Sequence, residues 1–560
     1  MMNRIVDFSI HHRVFVVTAS LLLVGGGIFA ALTLPIDAVP DVTENQVVIN
    51  TSAPALGPEE IERQVTVPLE TVLVGLPHVR EMRSLSQFGL SHITVVFDDA
   101  IDIYFARQIV HERIADVRDQ LPPGADPPEL APIATGLGEI YYVFVEGDGY
   151  SLMERRAILD WQVKPRLRTV PGVIEVNSYG GHVKQYQVLV DPEKLQSRGL
   201  TLADVREALQ RNNRNAGGAQ IPKENEQQIV QGIGMVASLE DIRSIVLRAE
   251  RGAPVLVRDV ARVEFGPAIR QGTMTKDGKG EAVAAIAVML MGENSRTVTA
   301  RVKERVKEIQ REMPPGIRLV GFMDRTALVN DTLHTAGINL LEGGALVILV
   351  LFLFLLQLRA GLIVSSVIPL SMLATIIGMN AFGVSANLMS LGAIDFGLIV
   401  DAAVIIVENC VRRLAEARRR LGRPLTPDER LATIRYGTVE VRRASQFGEM
   451  IIIAAYIPVL ALVGVEGRMF RPMALTVIFA LIGALLLSLT LVPALCALFL
   501  REGAARENPF VERLQRAYLP LLRWAIRFRL ATLATAVMLF VACASLFPRL
   551  GSEFIPKLDE

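Results

Sequence analysis

The sequence has few residues that could build a disulfide framework or a cysteine metal site. Its 560 residues include three cysteines, and all three (Cys410, Cys496 and Cys543) lie at or inside apolar stretches. No Cys-x-x-Cys pair is available, so both a disulfide scaffold and a zinc knuckle are excluded. The cysteines are interpreted as small packing residues.

The chain also lacks net charge and a nucleotide-binding loop. It has 58 basic and 58 acidic residues, so no bulk field selects a nucleic acid or an acidic partner. The P-loop pattern G-x-x-x-x-G-K-[ST] does not occur, which argues against ATP-driven transport by this chain. The sequence therefore predicts no cofactor and no nucleic-acid partner.

Apolar sequence is abundant. Hydrophobic residues make up 51% of the chain and the mean hydropathy is +0.38, values typical of a membrane protein. Runs of about twenty residues with almost no charge have the length needed to cross a bilayer. The predicted spans are 14–34, 337–356, 361–382, 388–410, 449–465, 473–499 and 529–547. A cleaved signal peptide is the alternative for the first run, but its length favours an uncleaved anchor.

The basic residues predict the orientation of these spans. Ten arginines lie in residues 411–447 and six in residues 500–528, so both segments are expected on the cytoplasmic side. Counting spans back from either segment places the N-terminus inside and the long region between the first two spans outside. The two segments give the same orientation for the N-terminus and for this long region.

The external region has the pattern of a mixed α/β fold. Strand-like alternation at 46–52 and 92–99 flanks a helical pattern at 57–76. A second unit has a strand at 139–146, a helix at 151–169 and a strand at 173–179. Strand 281–290 and helix 295–312 are predicted to complete it, with a third block inserted near Gly181. Such units predict small open α/β sandwiches.

An internal repeat predicts that the chain is the first half of a duplicated protein. The flanks of the first span recur near the C-terminus at one offset, since Asp37 corresponds to Glu553 and Pro40 to Pro556 (556 − 40 = 516). Both segments have the sequence of an exit from a span into an external domain.

The fourth predicted span carries three carboxylates in apolar sequence: Asp395, Asp401 and Glu408. A charge at the centre of a membrane helix costs about 2.5–3.5 kcal/mol on insertion scales, and such residues usually mark ion or proton paths. On one continuous helix, Asp401 and Glu408 fall about 20° apart and Asp395 about 120° away. The alternative is that these acids only lock helix packing. No other predicted span supplies an obvious buried cation, so a basic partner is expected from another half or subunit.

The motif around these acids resembles the resistance-nodulation-division (RND) permeases, which have one span, a large external domain and five further spans per half. The segment VDAAVIIVEN (400–409) matches their fourth-span motif. Drug-exporting members usually have a second aspartate at the place of Ala402. DFG (395–397) and GENSR (292–296) instead resemble the heavy-metal efflux branch, whose divalent-cation members often have glycine at the place of Ala402.

The resemblance implies an α-helical transmembrane bundle, about seven spans in this chain, with a large periplasmic α/β (ferredoxin-like βαβ) porter and docking domain. The expected divisions are the first helix (1–34), first porter subdomain (35–132), second porter subdomain (133–180 and 275–335), inserted docking subdomain (181–274), transmembrane helices 2–6 (336–500), cytoplasmic amphipathic segment (501–528), transmembrane helix 7 (529–548) and start of a second periplasmic domain (549–560).

The resemblance also implies a secondary active transporter of the bacterial inner membrane, not an enzyme. Asp401 would be the principal proton acceptor, with Asp395 and Glu408 supporting it. The expected cargo is a divalent metal such as zinc, cobalt, nickel or cadmium rather than copper or silver, and no metal ligands are assigned. The expected partners are the lipid bilayer, a periplasmic adaptor, an outer-membrane channel and two further copies in a homotrimer. The alternatives are a drug or lipid exporter of the same superfamily, or a transport-inactive fragment that needs a complementary half.

Overall fold

The structure is a computed structural model that describes residues 2–37, 40–223, 226–250, 253–270, 272–355, 357–392, 394–500 and 509–546. The described residues divide into two compact units, one within Met1–Val42 and Thr332–Glu560 and the other within Thr43–Asp331. The predicted domain start at 549–560, with the repeat residues Glu553 and Pro556, lies outside the described residues. So do residues 501–508 of the predicted amphipathic segment.

Two helices begin the chain, α1 (Met2–His11) and α2 (Arg13–Thr33). Helix α2 matches the predicted first span. Helix α1 was not anticipated from the sequence. Its residues Val6, Ser9 and Ile10 are buried, a spacing that gives the helix one inward face.

The first part of the second unit is a sheet covered by helices. Its elements are β1 (Gln46–Ser52), α3 (Pro58–Ile61), a π-helical segment (Glu62–Thr66), α4 (Val67–Leu73), β2 (Val79–Gln87), β3 (Leu90–Phe97), α5 (Ile103–Ala115) and β4 (Glu129–Leu130). The strands are ordered β2-β3-β1-β4, and Ile49 lies opposite Ile93 in an antiparallel pair. Both isoleucines are fully buried. The strands and the helix predicted here are confirmed.

The remaining elements of this unit, in chain order, are β5 (Glu139–Gly147), α6 (Leu152–Ile158), a π-helical segment (Leu159–Val163), α7 (Lys164–Leu167), β6 (Val173–Gly180), β7 (Lys184–Val190), α8 (Pro192–Ser197), α9 (Leu202–Arg211), β8 (Ala216–Lys223), β9 (Glu226–Gly232), α10 (Leu239–Arg243), β10 (Val246–Glu250), β11 (Ala253–Leu256), α11 (Val257–Val260), β12 (Ala261–Pro267), β13 (Val283–Met289), α12 (Ser295–Arg311) and β14 (Ile317–Asp324).

A second four-stranded sheet joins strands that are far apart in the sequence. Its order is β14-β5-β13-β6, so β13 pairs with β6 and β5 although about a hundred residues separate it from β6 along the chain. Every residue of β13 is buried. Helices α6, α7 and α12 contribute to the apolar core against this sheet. The strand and helix predictions for this region are confirmed.

The segment between β6 and β13 forms strand pairs of its own. Strand β7 pairs with β12, β8 with β9, and β10 with β11. In the first pair Tyr186 lies opposite Phe265, with ring centroids 5.0 Å apart. Two small apolar clusters lie among these elements, one containing Leu195 and Val260 and the other Ile242 and Val257.

The other unit continues with helices. These are α13 (Arg325–Leu355), α14 (Leu358–Ala381), α15 (Leu388–Gly392), α16 (Phe396–Leu421), α17 (Pro427–Leu460), α18 (Gly464–Phe499), α19 (Pro509–Arg527) and α20 (Arg529–Leu546). In the described part of the chain, six helical segments are long and apolar enough to cross a membrane: Arg13–Thr33, Gly337–Phe354, Leu358–Ala381, Leu388–Leu421, Gly464–Phe499 and Arg529–Leu546. The remaining predicted span, 449–465, corresponds to a shorter apolar stretch, Ser445–Leu460, at the end of α17.

The basic segment expected between the fourth and fifth spans is largely helical. Helix α16 continues to Leu421 and ends at Gly422, whose φ of 64° is the left-handed conformation that glycine adopts at little cost. Helix α17 begins after Thr426, whose hydroxyl accepts from the Glu429 backbone amide while the Glu429 carboxylate accepts from the Thr426 amide. Only residues 422–426 connect the two helices.

The membrane helices approach closely where small residues occur. Helix α14 packs against α2 and α18, and α16 packs against α14, α17 and α18. A Cβ on Gly27 of α2 would lie 2.6 Å from Leu373 Cβ of α14. The absence of a side chain at Gly27 therefore lets these two helices pack together.

Candidate functional site

Asp395 lies at the start of α16, not inside it. Its side chain accepts a hydrogen bond from the Gly397 backbone amide at 2.8 Å, and its own backbone is extended. This is an N-cap, where a carboxylate satisfies a free amide and interacts favourably with the helix dipole. Ile394 and Asp395 are not helical, so the angular offset that was inferred from one continuous helix does not apply to Asp395.

A cavity of about 400 Å³ lies beside this cap. Asn339 and Gly343 of α13, Leu391 of α15 and Asp395 line it. The exposed Asp395 carboxylate therefore lies beside space that water or an ion could enter.

Asp401 and Glu408 share one exposed stripe of α16. They are seven positions apart, which places them two turns or about 10.5 Å apart along the helix. Both are exposed among the described residues. The residues between them that face inward, including Ala403 and Val407, are completely buried. The predicted alignment of these two acids is present in the structure.

Among the described residues, neither Asp401 nor Glu408 has a hydrogen bond or an ion pair. By contrast, most carboxylates at the C-terminal end of α16 and in α17 are engaged by arginines. Asp401 and Glu408 therefore differ from these carboxylates in having no arginine beside them among the described residues.

Asn409, which follows Glu408, joins α16 to α17. Its amide donates to the Gly437 carbonyl at 2.7 Å and to Glu440 at 3.0 Å. Arg412 donates to the Asn409 side-chain oxygen at 2.7 Å. The bonds from Arg413 and Asn409 lower the pKa of Glu440 to about 2. Glu408 is thus without a partner among the described residues, whereas the next residue, Asn409, fixes α16 to α17. This role of Asn409 was not predicted from the sequence.

A buried ion pair lies within α17. Arg442 donates to both carboxylate oxygens of Glu449 at 3.0 and 2.9 Å. The Arg442 side chain is fully buried and that of Glu449 is 11% exposed. Arg442 precedes the predicted span 449–465 and lies in the basic segment 411–447, where no buried cation was expected from the sequence. Arg442 sits in a basic run that resembles a loop, and only its seven-residue spacing from Glu449 could have signalled the pair.

The described residues contain no group of three or more His, Cys, Asp or Glu side chains that could hold a metal ion. Cys410 and Cys496 are both buried and free, and the Cys410 thiol lies 3.5 Å from the Thr438 hydroxyl. These cysteines pack between helices, consistent with their interpretation from the sequence.

The chain is similar to known proteins along its whole length. The family model described as the AcrB/AcrD/AcrF family matches residues 5–560. The cation efflux system protein CzcA of Alcaligenes sp. (strain CT14) is 49% identical over 570 residues, covering 100% of this chain and 53% of that protein. The cobalt-zinc-cadmium resistance protein CzcA of Cupriavidus metallidurans is also 49% identical over 570 residues, with the same coverage.

A crystal structure of a heavy metal efflux pump has a similar fold. It matches with a TM-score of 0.87 and 36% identity, covering 99% of this chain and 53% of that chain. This chain thus spans about half the length of the relatives that it matches.

Proposed function

The chain belongs to the AcrB/AcrD/AcrF family, on the heavy-metal efflux branch of the RND permeases, and we propose that it forms the first half of a proton-driven pump that exports divalent metal cations. The pump is a secondary transporter of the inner membrane. Its N-terminus is cytoplasmic, and the region between α2 and α13 is periplasmic.

The observation that carries the proton-driven mechanism is the position of Asp401 and Glu408. Both acids lie on one exposed stripe of an apolar helix and have no partner among the described residues. A carboxylate in such a place exchanges a proton more readily than one held by arginine. Asp401 is the principal proton acceptor. Glu408 lies two turns further along α16, and Asp395 lies at the start of the helix beside the cavity.

The choice of cargo is supported by the names of the relatives and by one residue. The two relatives at 49% identity are a cation efflux protein and a cobalt-zinc-cadmium resistance protein. Ala402 stands where drug-exporting permeases usually have a second aspartate. We therefore favour zinc, cobalt, nickel or cadmium over copper or silver, and over a drug or lipid.

The external region forms the porter and docking subdomains of the pump. The sheet β2-β3-β1-β4 supports a first porter subdomain in residues 35–132, and the sheet β14-β5-β13-β6 supports a second in residues 133–180 and 275–335. The strand pairs between β6 and β13 support a docking subdomain in residues 181–274. By family membership, three copies work with a periplasmic adaptor and an outer-membrane channel.

The test uses proteoliposomes that contain the complete pump, an imposed pH gradient and a pH-sensitive dye in the lumen. We expect zinc or cadmium to stimulate proton flux, Asp401→Asn to abolish that flux, and the variant to elute and melt as the parent does. Glu416→Gln, on the same helix but at its charged end, is the matched control and retains flux. Undiminished flux with Asp401→Asn would refute the proton path.

Two growth assays separate the alternatives. In a host that lacks its own metal exporters, the complete pump is expected to protect against zinc, cobalt or cadmium and not against drugs. Protection against drugs alone would favour a drug exporter. Residues 1–560 expressed alone are expected to confer no resistance, and resistance from this chain by itself would show that no second half is needed.

A further inference from the structure

A second cavity, of about 580 Å³, lies among the helices of the membrane unit. Its walls come from α1, α2, α14 and α18. Small residues leave the space for it, namely Ala19 of α2, Ala374 of α14 and Gly483 of α18. Its lining extends along α2 from Phe15 to Leu23, which is about 12 Å of helix. The cavity is therefore elongated along the membrane helices, and its volume is within the range of about 300–1,000 Å³ in which small ligands bind.

The hydroxyl groups in the walls already have hydrogen-bond acceptors. Ser9 donates to the Ile5 carbonyl at 2.7 Å and Ser20 to the Val16 carbonyl at 2.9 Å. Thr490 likewise donates to a carbonyl of its own helix at 2.7 Å. The walls are otherwise apolar except at one end. A polar ligand would therefore gain little inside this cavity, whereas an apolar chain would be removed from water without leaving a polar group unsatisfied.

One cation lines the cavity, and it has no partner. Arg4 of α1 is exposed and has no ion pair among the described residues. Asp7, the acid nearest to it in the sequence, is bonded to Arg435 of α17. No carboxylate is among the described residues that line the cavity. The cavity thus has an apolar body and an uncompensated guanidinium at one end, which matches a ligand with an apolar chain and an anionic group.

The position of the cavity in the membrane follows from the proposed orientation. With the N-terminus in the cytoplasm, the Arg4 end lies at the cytoplasmic interface. The 12 Å along α2 are less than half of a hydrocarbon core of about 30 Å, so the cavity lies within the cytoplasmic leaflet. Beside Arg4, the rings of Phe8 and Phe15 are 49% and 63% exposed. Basic pockets between membrane helices on this side bind lipid head groups.

The cavity and the free acids of α16 face opposite sides of the bundle. Helices α2 and α16 each pack against α14 and α18, but α2 and α16 do not pack against each other in the described part of the chain. The stripe with Asp401 and Glu408 is the exposed side of α16, so it points away from α14 and α18 and from the cavity behind them. A second half or another subunit that covers these acids therefore leaves the cavity open to lipid.

We propose that an anionic phospholipid of the cytoplasmic leaflet binds in this cavity, with one acyl chain along α2 and its phosphate at the Arg4 guanidinium. Burial of the chain against apolar walls favours binding, and the phosphate accepts charge-assisted hydrogen bonds from the guanidinium. The proposal uses the membrane orientation of the proposed function and does not depend on the proton path.

The test is native mass spectrometry of the complete pump, stripped of lipid in detergent and titrated with phosphatidylglycerol or with phosphatidylcholine of the same acyl chains. Phosphatidylglycerol is expected to bind about fivefold more tightly, because one basic residue near the membrane surface favours an anionic lipid by this factor. Arg4→Gln should remove the preference. Arg419→Gln removes the same charge from an exposed position of α16 outside the cavity, and it should keep the preference.

A second pair of variants tests the apolar part. Ala19→Leu fills the cavity and should remove one tightly bound lipid per copy, whichever lipid is used. Ala31→Leu makes the same change at an exposed position of α2 outside the cavity and should leave the lipid count unchanged. Both variants should melt as the parent does in lipid-free detergent, and if Ala19→Leu fails to fold, Arg4→Gln decides alone.

Three results would overturn the proposal: equal affinity of the parent for the two lipids, a preference that persists in Arg4→Gln, or an unchanged lipid count in a folded Ala19→Leu variant. The last result is expected if a segment of a second half fills the cavity. The proton-driven mechanism fails separately, if the parent shows no metal-dependent flux or Asp401→Asn retains it.

Discussion

Arg413 of α16 holds Glu440 of α17 by both carboxylate oxygens, with Nε donating at 2.9 Å and a terminal nitrogen donating to the second oxygen. Asn409 donates to the same carboxylate from one turn earlier. The free acids of α16 thus lie directly before a segment that is fixed to its neighbour. The C-terminal part of α16 is therefore bonded to α17, whereas the stripe that contains Asp401 and Glu408 has no partner among the described residues.

The bonded C-terminal part of α16 predicts a pH-dependent contribution to stability. The pKa of Glu440 is lowered to about 2 by Arg413 and Asn409, whereas an unfolded glutamate titrates near its ordinary value of about 4.3. The stabilisation is therefore complete above the unfolded pKa and is lost as the pH falls through the folded pKa. Glu440→Gln should lower the melting temperature at pH 7, and the difference from the parent should shrink between about pH 4.5 and 2 in detergent-solubilised protein.

The control for that series is Glu416→Gln, which removes the other carboxylate bonded to Arg413, an exposed residue three positions further along the same helix. Exposed pairs of this kind contribute little, so its melting curve should follow that of the parent. A pH-independent loss of stability in Glu440→Gln would contradict the assigned ion pair.

Asp395 has two separable features, its hydrogen bond as a helix cap and its charge. Asp395→Asn keeps an oxygen that can accept from the Gly397 amide and removes the charge. Asp395→Ala removes both and is expected to cost about 1 kcal/mol of stability. If Asp395 supports the proton path, the Asn variant folds as the parent does but has reduced metal-dependent proton flux. Normal flux in Asp395→Asn would limit this residue to capping.

The sequence predicted those parts of the fold that depend on local pattern. Strand β1 and its neighbours follow an alternating pattern, and long apolar runs gave the membrane helices, because period and run length are properties of one segment. Thr426 and Glu429 also form a capping signature, which identifies the start of α17 where a long cytoplasmic segment was predicted. The arginines of that segment indicated only its side of the membrane, and its helices were not predicted from the sequence.

Features that depend on distant parts of the chain could not be predicted in the same way. Ile394 and Asp395 are not helical, although the apolar sequence around them also suits a continuous helix. The pairing of Arg442 with Glu449 requires the helix to continue through the basic segment, and its burial requires α16 beside it. Whether Asp401 and Glu408 have hydrogen-bond or ion-pair partners depends on which face of α16 the neighbouring helices cover. Each of these is set by tertiary packing rather than by local preference.

The close approach of α2 to α14 predicts the effect of a single methyl group. A Cβ at Gly27 would lie 2.6 Å from Leu373 Cβ, so Gly27→Ala must move one helix, and overpacking of this kind costs about 1–3 kcal/mol. At Gly25, on the same helix, no described atom lies within 4 Å of an added Cβ. Gly25→Ala is therefore the matched control. Thermal unfolding in detergent should show a lower melting temperature for Gly27→Ala alone, and equal melting of the two variants would contradict the packing.

Because β6 and β13 pair directly in the second sheet, we predict that the segment between these two strands can be removed. Gly180 and Val283 are directly opposite each other in an antiparallel pair, and every buried residue of this core lies between Ile140 and Val176 or between Val283 and Ile317. Joining residues 133–180 to 283–331 through an Asn-Gly turn should give a soluble domain, because that dipeptide suits a two-residue hairpin. Circular dichroism should show a cooperative melt that Ala285→Asp, which buries a charge at a fully buried position, abolishes. A non-cooperative melt of the joined domain would mean that its core needs the removed segment.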